Sequence, residues 1–483
     1  MSEKVSETKK IYAFVAPDGG WGYMICAAFI INCSTITMFM SCFGMLYNEF
    51  MTEIGMNSTT VTFLTGLNAI CFAAAGFFTS SLLKLLSVRK LCLLSVVIHD
   101  IGALGMVFVK SIPMFFLFQG IFMGTGIGIT YNLSCSILND YFVKRRLFAF
   151  SLVQFFIAIL TMVAPIFVKW SLQEYGFRST LLLVAGVMVH NIFGVAIMHP
   201  VKWHMKKVEV MPIAEMQPLL VDAESNTVPT VTLTDEEKAT TTSVTKHNEI
   251  IIGDGKKSAI MRVLESFIDV SFAKKFILSS ACIGQSMCTF SESTFGLILP
   301  QALYSLGWSQ DKVALALSLY GFGDLVSRTL LIFTGKWINK IGTQEIYVIG
   351  VIVACVSRLG MLWSENETVI LGYITMMGVA RCCLVVLINV VISEVVTPEQ
   401  FTQAMGIFML FSGLTILVLG PAIGAIRDLT NSYNTAFYLL TSCFAIIALF
   451  WSIELCYKKN KEKRKIQKEN LEKIKSSRLN KGK

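Results

Sequence analysis

Charged side chains are scarce in this sequence. Asp, Glu, Lys and Arg together make up 15% of the 483 residues, whereas apolar residues make up 54%. The mean hydropathy of +0.64 exceeds the usual range of soluble globular proteins. The few charges lie in patches between long apolar runs, which is typical of membrane-spanning helices. The composition therefore excludes a single soluble core and predicts a polytopic membrane protein.

Sequence motifs of enzymes and metal sites are also missing. There is no Gly-rich phosphate loop ending in Lys-Ser/Thr and no His-Glu-x-x-His. The thirteen cysteines lie in or beside apolar segments, and none forms a Cys-x-x-Cys pair near histidines. We therefore expect no enzyme activity, no cofactor and no metal, and a gradient as the driving force.

The net charge of +9 comes from one segment. Lys458–Lys483 contains twelve Lys and Arg against three Glu, which accounts for the whole excess. A basic tail after the last apolar run is typical of a cytoplasmic segment attracted to anionic lipid. No scaffold for reading bases accompanies it, so nucleic acid is not an expected partner. Residues 1–20 contain no secretory signal, because the first apolar run is longer than a signal peptide needs.

Runs of about 20 apolar residues can cross the hydrocarbon layer as helices. The sequence contains twelve, near residues 21–47, 61–83, 91–109, 113–138, 147–168, 179–198, 274–300, 312–334, 345–363, 367–394, 402–424 and 434–456. Residues 199–273, rich in Thr, Ser, Glu and Lys, predict a largely disordered linker. The predicted fold is all-α: two six-helix halves (21–198 and 274–456), as in the major facilitator superfamily, with a cytoplasmic N-terminus (1–20) and tail (457–483).

Basic residues in short loops predict the orientation. They follow the second, fourth and eighth runs: Lys84, Arg89, Lys90, Lys144, Arg145, Arg146, Lys336 and Lys340. All fall on the side of the basic tail, so we expect both termini and the linker to be cytoplasmic. The sequons at Asn57 and Asn366 lie in loops of the opposite side, which agrees with that orientation.

Ionisable residues deep inside apolar runs indicate a cavity or a partner, since each costs about 2.5–3.5 kcal/mol at the bilayer centre. In the eighth run, Asp324 and Arg328 are four residues apart and share a helix face. An intrahelical ion pair is one interpretation. The other is a proton-coupled anion site, where Arg328 binds a carboxylate and Asp324 exchanges a proton.

Glu292 and Arg381 lie midway along the seventh and tenth runs, at comparable depth. We expect them to form a salt bridge or to share substrate contacts. For His99, Asp100, His190 and Arg358 we expect interhelical hydrogen bonds or snorkelling ends. Glycines repeat every four residues in the fourth run, at Gly120, Gly124 and Gly128, and predict close helix packing, with backbone hinging as the alternative.

Several motifs resemble the monocarboxylate transporter family, solute carrier family 16. They are the segments 17–23, 131–133, 141–146, 420–424, 428–433 and 436–438 together with the Asp324/Arg328 pair. The resemblance implies proton coupling by Asp324 and anion binding by Arg328. It also implies gating at the cytoplasmic side by Arg146, and gating or structural roles for Asp18 and Trp21.

Three departures from the family pattern bear on the substrate. Ser41 stands where the lactate and pyruvate carriers have a substrate-binding lysine, Phe150 replaces an asparagine, and residues 74–76 replace a Gly-Pro. These changes make lactate itself a doubtful substrate. We expect Ser41 to lie at the substrate site and Arg381 to supply the missing positive charge.

The sequence thus predicts a plasma-membrane carrier of a small monocarboxylate-like organic anion, with proton coupling left open. One alternative is facilitated transport of an amino acid, creatine or a carnitine-like metabolite, which the loss of the lysine favours. Another is a non-transporting sensor or scaffold that acts through the linker and tail. The resemblance also raises a single-span immunoglobulin-type glycoprotein as an accessory partner.

Overall fold

The computed structural model describes residues 11–40, 42–56, 58–210, 270–430 and 432–480. Its helices are α1 (Trp21–Met40), α2 (Phe43–Glu53), α3 (Ser58–Leu85), α4 (Val88–Val107), α5 (Ile112–Phe115), α6 (Gly124–Tyr141), α7 (Arg146–Val189), α8 (Asn191–Ile197), α9 (Val270–Ile277), α10 (Ile283–Ser305), α11 (Gln310–Ile341), α12 (Thr343–Trp363), α13 (Glu367–Val395), α14 (Phe401–Thr430) and α15 (Tyr433–Asn480). A π-helix (Phe116–Met123) joins α5 to α6, and short 3₁₀ turns span Val201–Trp203 and Pro398–Gln400.

The helices reproduce the twelve predicted spans. Nine helical segments of the described chain are long and apolar enough to cross a membrane, and one of them, Arg146–Ile197, contains the fifth and sixth spans. Gly176, at φ 74°, divides it into two helices. The remaining two spans are α1, which begins the first predicted run, and α10, which carries several polar residues.

The helices at the two ends of the C-terminal half extend beyond the predicted runs. The seventh run was expected to begin at 274, but a turn at residues 278–282 separates α9 from α10, and Ser279 Oγ donates to Phe276 O there (2.6 Å). At the other end, α15 continues through the basic tail to Asn480. Lys458 Nζ lies 2.6 Å from Glu454 Oε1, and an i, i+4 pair of this kind favours the helix.

Two strands form a small separate unit. Strand β1 (Ile11–Val15) pairs antiparallel with β2 (Lys206–Val210), so that Ile11 faces Val210 and Val15 faces Lys206. The start of the predicted disordered linker is therefore ordered, as residues 201–203 also form a turn. Residues 211–269 of the linker lie outside the described residues.

The helical unit has a shared core at one end and two cores at the other. We call the end where α3, α6 and α11 finish, beside Arg89, Arg145 and Lys340, the basic end. Near it, one hydrophobic cluster joins buried residues of both halves, such as Phe142 and Phe401. Towards the opposite end, the N-terminal half and the C-terminal half each pack around a cluster of their own. The halves therefore close on each other at the basic end.

Glycines let two helices of the C-terminal half touch through their backbones. A Cβ atom at Gly378 of α13 would lie 2.1 Å from Tyr320 O, and one at Gly323 of α11 would lie 2.3 Å from Thr375 O. No larger residue fits at this crossing. It lies one turn from Asp324 and Arg381 and sets the distance between them.

The predicted glycine stripe packs in the same way. A Cβ atom at Gly128 would meet Phe72 O of α3 at 2.2 Å, and one at Gly124 would meet Asn68 O at 2.8 Å. The predicted close packing of the fourth run against a neighbouring helix is confirmed.

Gly378→Ala should lower the melting temperature of the detergent-solubilised protein. The added methyl group forces α13 away from α11, and overpacking of this kind costs about 1–3 kcal/mol. Gly372→Ala is the matched control in the same helix, because no described atom lies within 4 Å of its Cβ position. Equal melting temperatures for the two variants would contradict the close crossing.

Candidate functional site

A cavity of about 580 Å³ lies between the two halves, beyond the closed basic end. The N-terminal half contributes Ala69, Phe72 and Tyr131 to its wall. The C-terminal half contributes most of the remaining wall, including Glu292, Tyr320 and Arg381. The charged wall residues that the structure describes thus belong to the C-terminal half.

Asp324 of α11 is held by two guanidinium groups. Arg328 donates from Nε to Asp324 Oδ1 and from Nη2 to Oδ2, both at 3.0 Å, and Arg381 Nη1 of α13 lies 3.3 Å from Oδ2. The remaining donor of Arg328, Nη1, reaches the main-chain oxygen of Gln154 (3.0 Å) and its Oε1 (3.1 Å) in α7. Arg328 therefore connects the ion pair to the N-terminal half.

Glu292 of α10 belongs to a second ion pair. It accepts from Arg358 Nη2 of α12 at 2.6 Å and from the Tyr320 hydroxyl. Arg358 Nη1 also donates to Ser291 Oγ (2.8 Å), and its Cζ lies about 4 Å from the ring centroids of Phe295 (4.1 Å) and Phe444 (4.2 Å). Arg358 is almost fully buried, so its charge is balanced inside the protein.

Tyr320 links the two pairs. Its hydroxyl binds Glu292, and its ring lies 5.5 Å from Arg381 Cζ, within range of a cation–π contact. The linked network contains three guanidinium groups against two carboxylates, which leaves one excess positive charge. Arg381 is its most exposed arginine, with 38% of its side chain accessible against 6% for Arg328 and 1% for Arg358. The excess charge is therefore available at the cavity wall.

The structure contains an ion pair within α11 and corrects another expected pair. Asp324 and Arg328 pair along α11, which was one of the two interpretations of their spacing, and their functional role stays a prediction. The expected salt bridge between Glu292 and Arg381 is wrong, because Glu292 binds Arg358 and Arg381 binds Asp324. Arg358 forms an interhelical contact, which was one of the two expectations for it. Ser41 lies outside the described residues.

Residues that sequence reasoning missed are Tyr320 and Gln154. Neither carries a formal charge, so neither stands out in an apolar run. The periodicity of the eighth run offered one signal for Tyr320, since it lies four residues before Asp324 and thus on the same helix face.

His99, Asp100 and His190 form their polar contacts with residues close to them in sequence, and not with other helices as expected. His99 Nδ1 lies 3.3 Å from Asp100 Oδ1, so these adjacent buried residues contact each other within α4. His190 Nδ1 lies 2.9 Å from Gly186 O, one turn earlier in its own helix. Neither residue reaches the cavity wall.

Arg146 bridges the two halves at the basic end. Its Nη1 donates to Ser393 O of α13 (3.2 Å), while its Nε donates to Phe142 O (3.0 Å). Nearby, Asn132 Nδ2 donates to Thr402 O of α14 (3.2 Å) and to Gly76 O (2.7 Å). Polar contacts thus hold α6 and α7 against the C-terminal half, and the gating role of Arg146 stays a prediction.

Asp18 and Trp21 organise the chain next to that contact. Asp18 Oδ1 accepts from the N–H groups of Val143 and Lys144, both at 2.8 Å, so it caps the loop before α7. The Trp21 ring stacks on His199 (4.7 Å) and on His204 (5.0 Å). Both residues have structural contacts at the basic end, away from the cavity wall.

The pKa of His199, one of the rings stacked on Trp21, is shifted. Burial lowers the pKa of His199 from its usual value, and the nearby charges of Arg89 and His204 lower it further. His199 Nδ1 and His204 Nε2 lie 3.3 Å apart, a contact that needs at least one ring to be neutral.

The chain matches the sequence profile of a known family. The profile of the Major Facilitator Superfamily matches residues 27–233 and 281–481, which is most of the chain. The chain belongs to the major facilitator superfamily. This transporter has two helical halves of the kind predicted from its sequence, and its relatives are transporters rather than enzymes.

The similar curated proteins are monocarboxylate transporters. Human monocarboxylate transporter 6 is 21% identical over 462 residues, covering 94% of this chain and 85% of that protein. Bovine monocarboxylate transporter 1 is 20% identical over 465 residues, covering 94% and 89%. The predicted resemblance is confirmed, and the low identity makes the chain a divergent member.

Solved structures of other transporters share the fold. The E. coli fucose:proton symporter has a TM-score of 0.56 at 15% identity, covering 89% of this chain and 98% of that one. The human organic anion transporter MFSD10 has a TM-score of 0.60 at 14% identity, covering 90% and 100%.

Arg358→Leu should destabilise the transporter strongly. It leaves the Glu292 carboxylate without its guanidinium partner in an apolar setting, and breaking such a pair costs about 3–5 kcal/mol. The double variant Arg358→Leu with Glu292→Gln removes both charges and should recover most of the loss. Thermal unfolding in detergent measures both, and a double variant no more stable than Arg358→Leu alone would contradict the pairing.

Proposed function

We propose that this chain is a secondary transporter of a small, monocarboxylate-like organic anion that works by alternating access. The observation that carries the proposal is Arg381, the exposed member of a network with one excess positive charge, in the wall of a cavity closed at the basic end. An anion in this cavity compensates the excess charge, whereas a cation meets a site that already lacks negative charge.

Arg381 is the first contact for the substrate carboxylate in this arrangement. Its guanidinium presents parallel donors that match the two oxygens of a carboxylate. Only one contact, at 3.3 Å, ties it to Asp324 Oδ2, so an incoming anion replaces a single hydrogen bond. Arg328 is buried and fully engaged with Asp324 and Gln154, and it reaches a substrate only after Asp324 releases it.

Asp324 is the proposed site of proton coupling. As a carboxylate it neutralises part of the charge of both Arg328 and Arg381. A proton on Asp324 removes that compensation and leaves both arginines to the anion, so proton and anion enter together. The same step weakens the hold of Asp324 on Arg328, whose other contact is Gln154 in the opposite half. Substrate binding and the contact between halves then depend on one carboxylate.

Opening of the basic end completes the cycle. The contacts of Arg146 with Ser393 O and of Asn132 with Thr402 O must break for the halves to rock apart there. We propose that this end is cytoplasmic, since short basic loops favour that side, and that the protein acts in the plasma membrane with both termini inside. The accessory glycoprotein stays a prediction by resemblance.

A zwitterion is the second candidate substrate. Glu292 and Arg381 both line the cavity, on either side of Tyr320, so a carboxylate and an ammonium group have a charged partner each. This arrangement favours an amino acid or a carnitine-like metabolite. It requires Glu292 to share its charge with Arg358.

Arg381→Ala should abolish uptake of monocarboxylates in cells that express the protein. The assay is uptake of labelled lactate, pyruvate, a ketone body, an aromatic amino acid, creatine and carnitine at outside pH 6 and 7.5. Each hydrogen bond to a charged group is worth about 1.5–3 kcal/mol, so the loss is at least about tenfold.

Asp324→Asn should remove the faster uptake at outside pH 6 than at pH 7.5, because the variant lacks the proposed site of proton coupling.

Lys312→Ala is the matched control, because it deletes an exposed cation that pairs with Glu367 at the surface. Uptake restricted to a zwitterion and independent of pH would refute the anion proposal and favour the second candidate. Full monocarboxylate uptake by Arg381→Ala would refute the role of Arg381.

A further inference from the structure

The wall of the cavity is polar at one place and apolar over most of the rest. Around Arg381 and Glu292, the C-terminal half contributes side chains such as Leu384, Ile388 and Met405. The facing N-terminal wall is aromatic: the rings of Phe72 and Tyr131 lie 6.1 Å apart and tilted by 47°. A ligand that spans this space meets a charge at one end and aromatic carbon at the other.

Three of the five hydroxyl groups of the wall, those of Thr289, Ser412 and Tyr320, are engaged within the protein. Thr289 Oγ1 donates to Gln285 O (2.8 Å), and Ser412 Oγ donates to Ser286 Oγ (2.9 Å). The Tyr320 hydroxyl is bound to Glu292. These protons are therefore not directed at a ligand, and hydrogen bonds to the body of a small hydroxy acid have few donors to use.

We propose that the substrate is a monoanion with an aromatic or similarly bulky apolar body, and not a three-carbon acid. This inference rests on the proposed function, since it keeps the carboxylate on Arg381. The body lies against Phe72 and Tyr131 and draws its affinity from burial of apolar surface and from aromatic contact. The cavity volume of about 580 Å³ falls in the range of sites for drug-sized ligands, about 300–1,000 Å³.

The two halves contact different parts of the proposed ligand. The head of the ligand contacts the charged C-terminal half, and its body contacts the N-terminal half. A three-carbon acid on Arg381 offers little apolar surface to the aromatic wall. An aromatic acid offers a ring to it, and the binding energy of that contact is then available to draw the halves together.

Gly296 offers a way to shrink the cavity. It lines the wall on α10, four residues from Glu292, and no atom of the described chain lies within 4 Å of its Cβ position. Gly296→Leu therefore places a side chain into the space without a clash against the backbone. Gly372→Leu is the matched control, because Gly372 is also open and is not among the lining residues.

The experiment compares uptake of lactate, 3-phenyllactate and indole-3-lactate at outside pH 6. These acids share one head group and differ in the size of the body. We expect the aromatic acids to enter wild-type cells at least about tenfold more efficiently than lactate. Gly296→Leu should reduce uptake of the aromatic acids at least about tenfold and leave that of lactate within about twofold. Gly372→Leu should match wild type.

Other results of this experiment contradict either the inference about the ligand body or the proposed function. Lactate uptake equal to that of the aromatic acids, or an equal effect of Gly296→Leu on all three, overturns the inference and leaves the proposed function standing. If none of the three acids enters while a zwitterion does, the proposed function itself fails. Phe72→Leu is the second variant should Gly296→Leu not reach the membrane: it removes the aromatic face and should impair only the aromatic acids.

Discussion

Two buried carboxylates, Asp324 and Glu292, must each keep a guanidinium partner inside the C-terminal half. An unpaired charge in such a setting is far more costly than the loss of a contact at the surface. The pairs therefore tie four helices together: α10 and α12 through Glu292 and Arg358, and α11 and α13 through Asp324 and Arg381. The glycine crossing of α11 and α13 allows the approach that the second pair needs.

The two halves contribute different chemistry to the cavity. The C-terminal half holds the charges, and the N-terminal half offers an aromatic wall and the Gln154 amide. Arg328 is the residue through which the charged network reaches the opposite half directly. In the proposed mechanism, a change in the charge of Asp324 alters both the anion site and a contact between the halves, as coupled transport requires.

Closure at the basic end combines the shared hydrophobic cluster with polar contacts that can be exchanged. Arg146 and Asn132 bind main-chain oxygens of the C-terminal half, and Gly406 lies against Gly76 O, where a Cβ would approach to 2.7 Å. Hydrogen bonds to backbone oxygens and close contacts between small residues are readily replaced by water when the halves separate. The two hydrophobic clusters towards the opposite end each contain residues of one half alone, so such a motion does not have to break them.

The sequence by itself determined the twelve spans, their division into two halves and the shared helix face of Asp324 and Arg328, because span length and the four-residue repeat act within one helix. It did not determine that Glu292 pairs with Arg358, that Tyr320 joins the two ion pairs, or that Arg381 rather than Arg328 faces the cavity. Those contacts depend on how each helix is rotated and how closely it packs on its neighbours. Depth along a helix favoured Arg381 over Arg358 as the partner of Glu292, and the tertiary packing paired Glu292 with Arg358 instead.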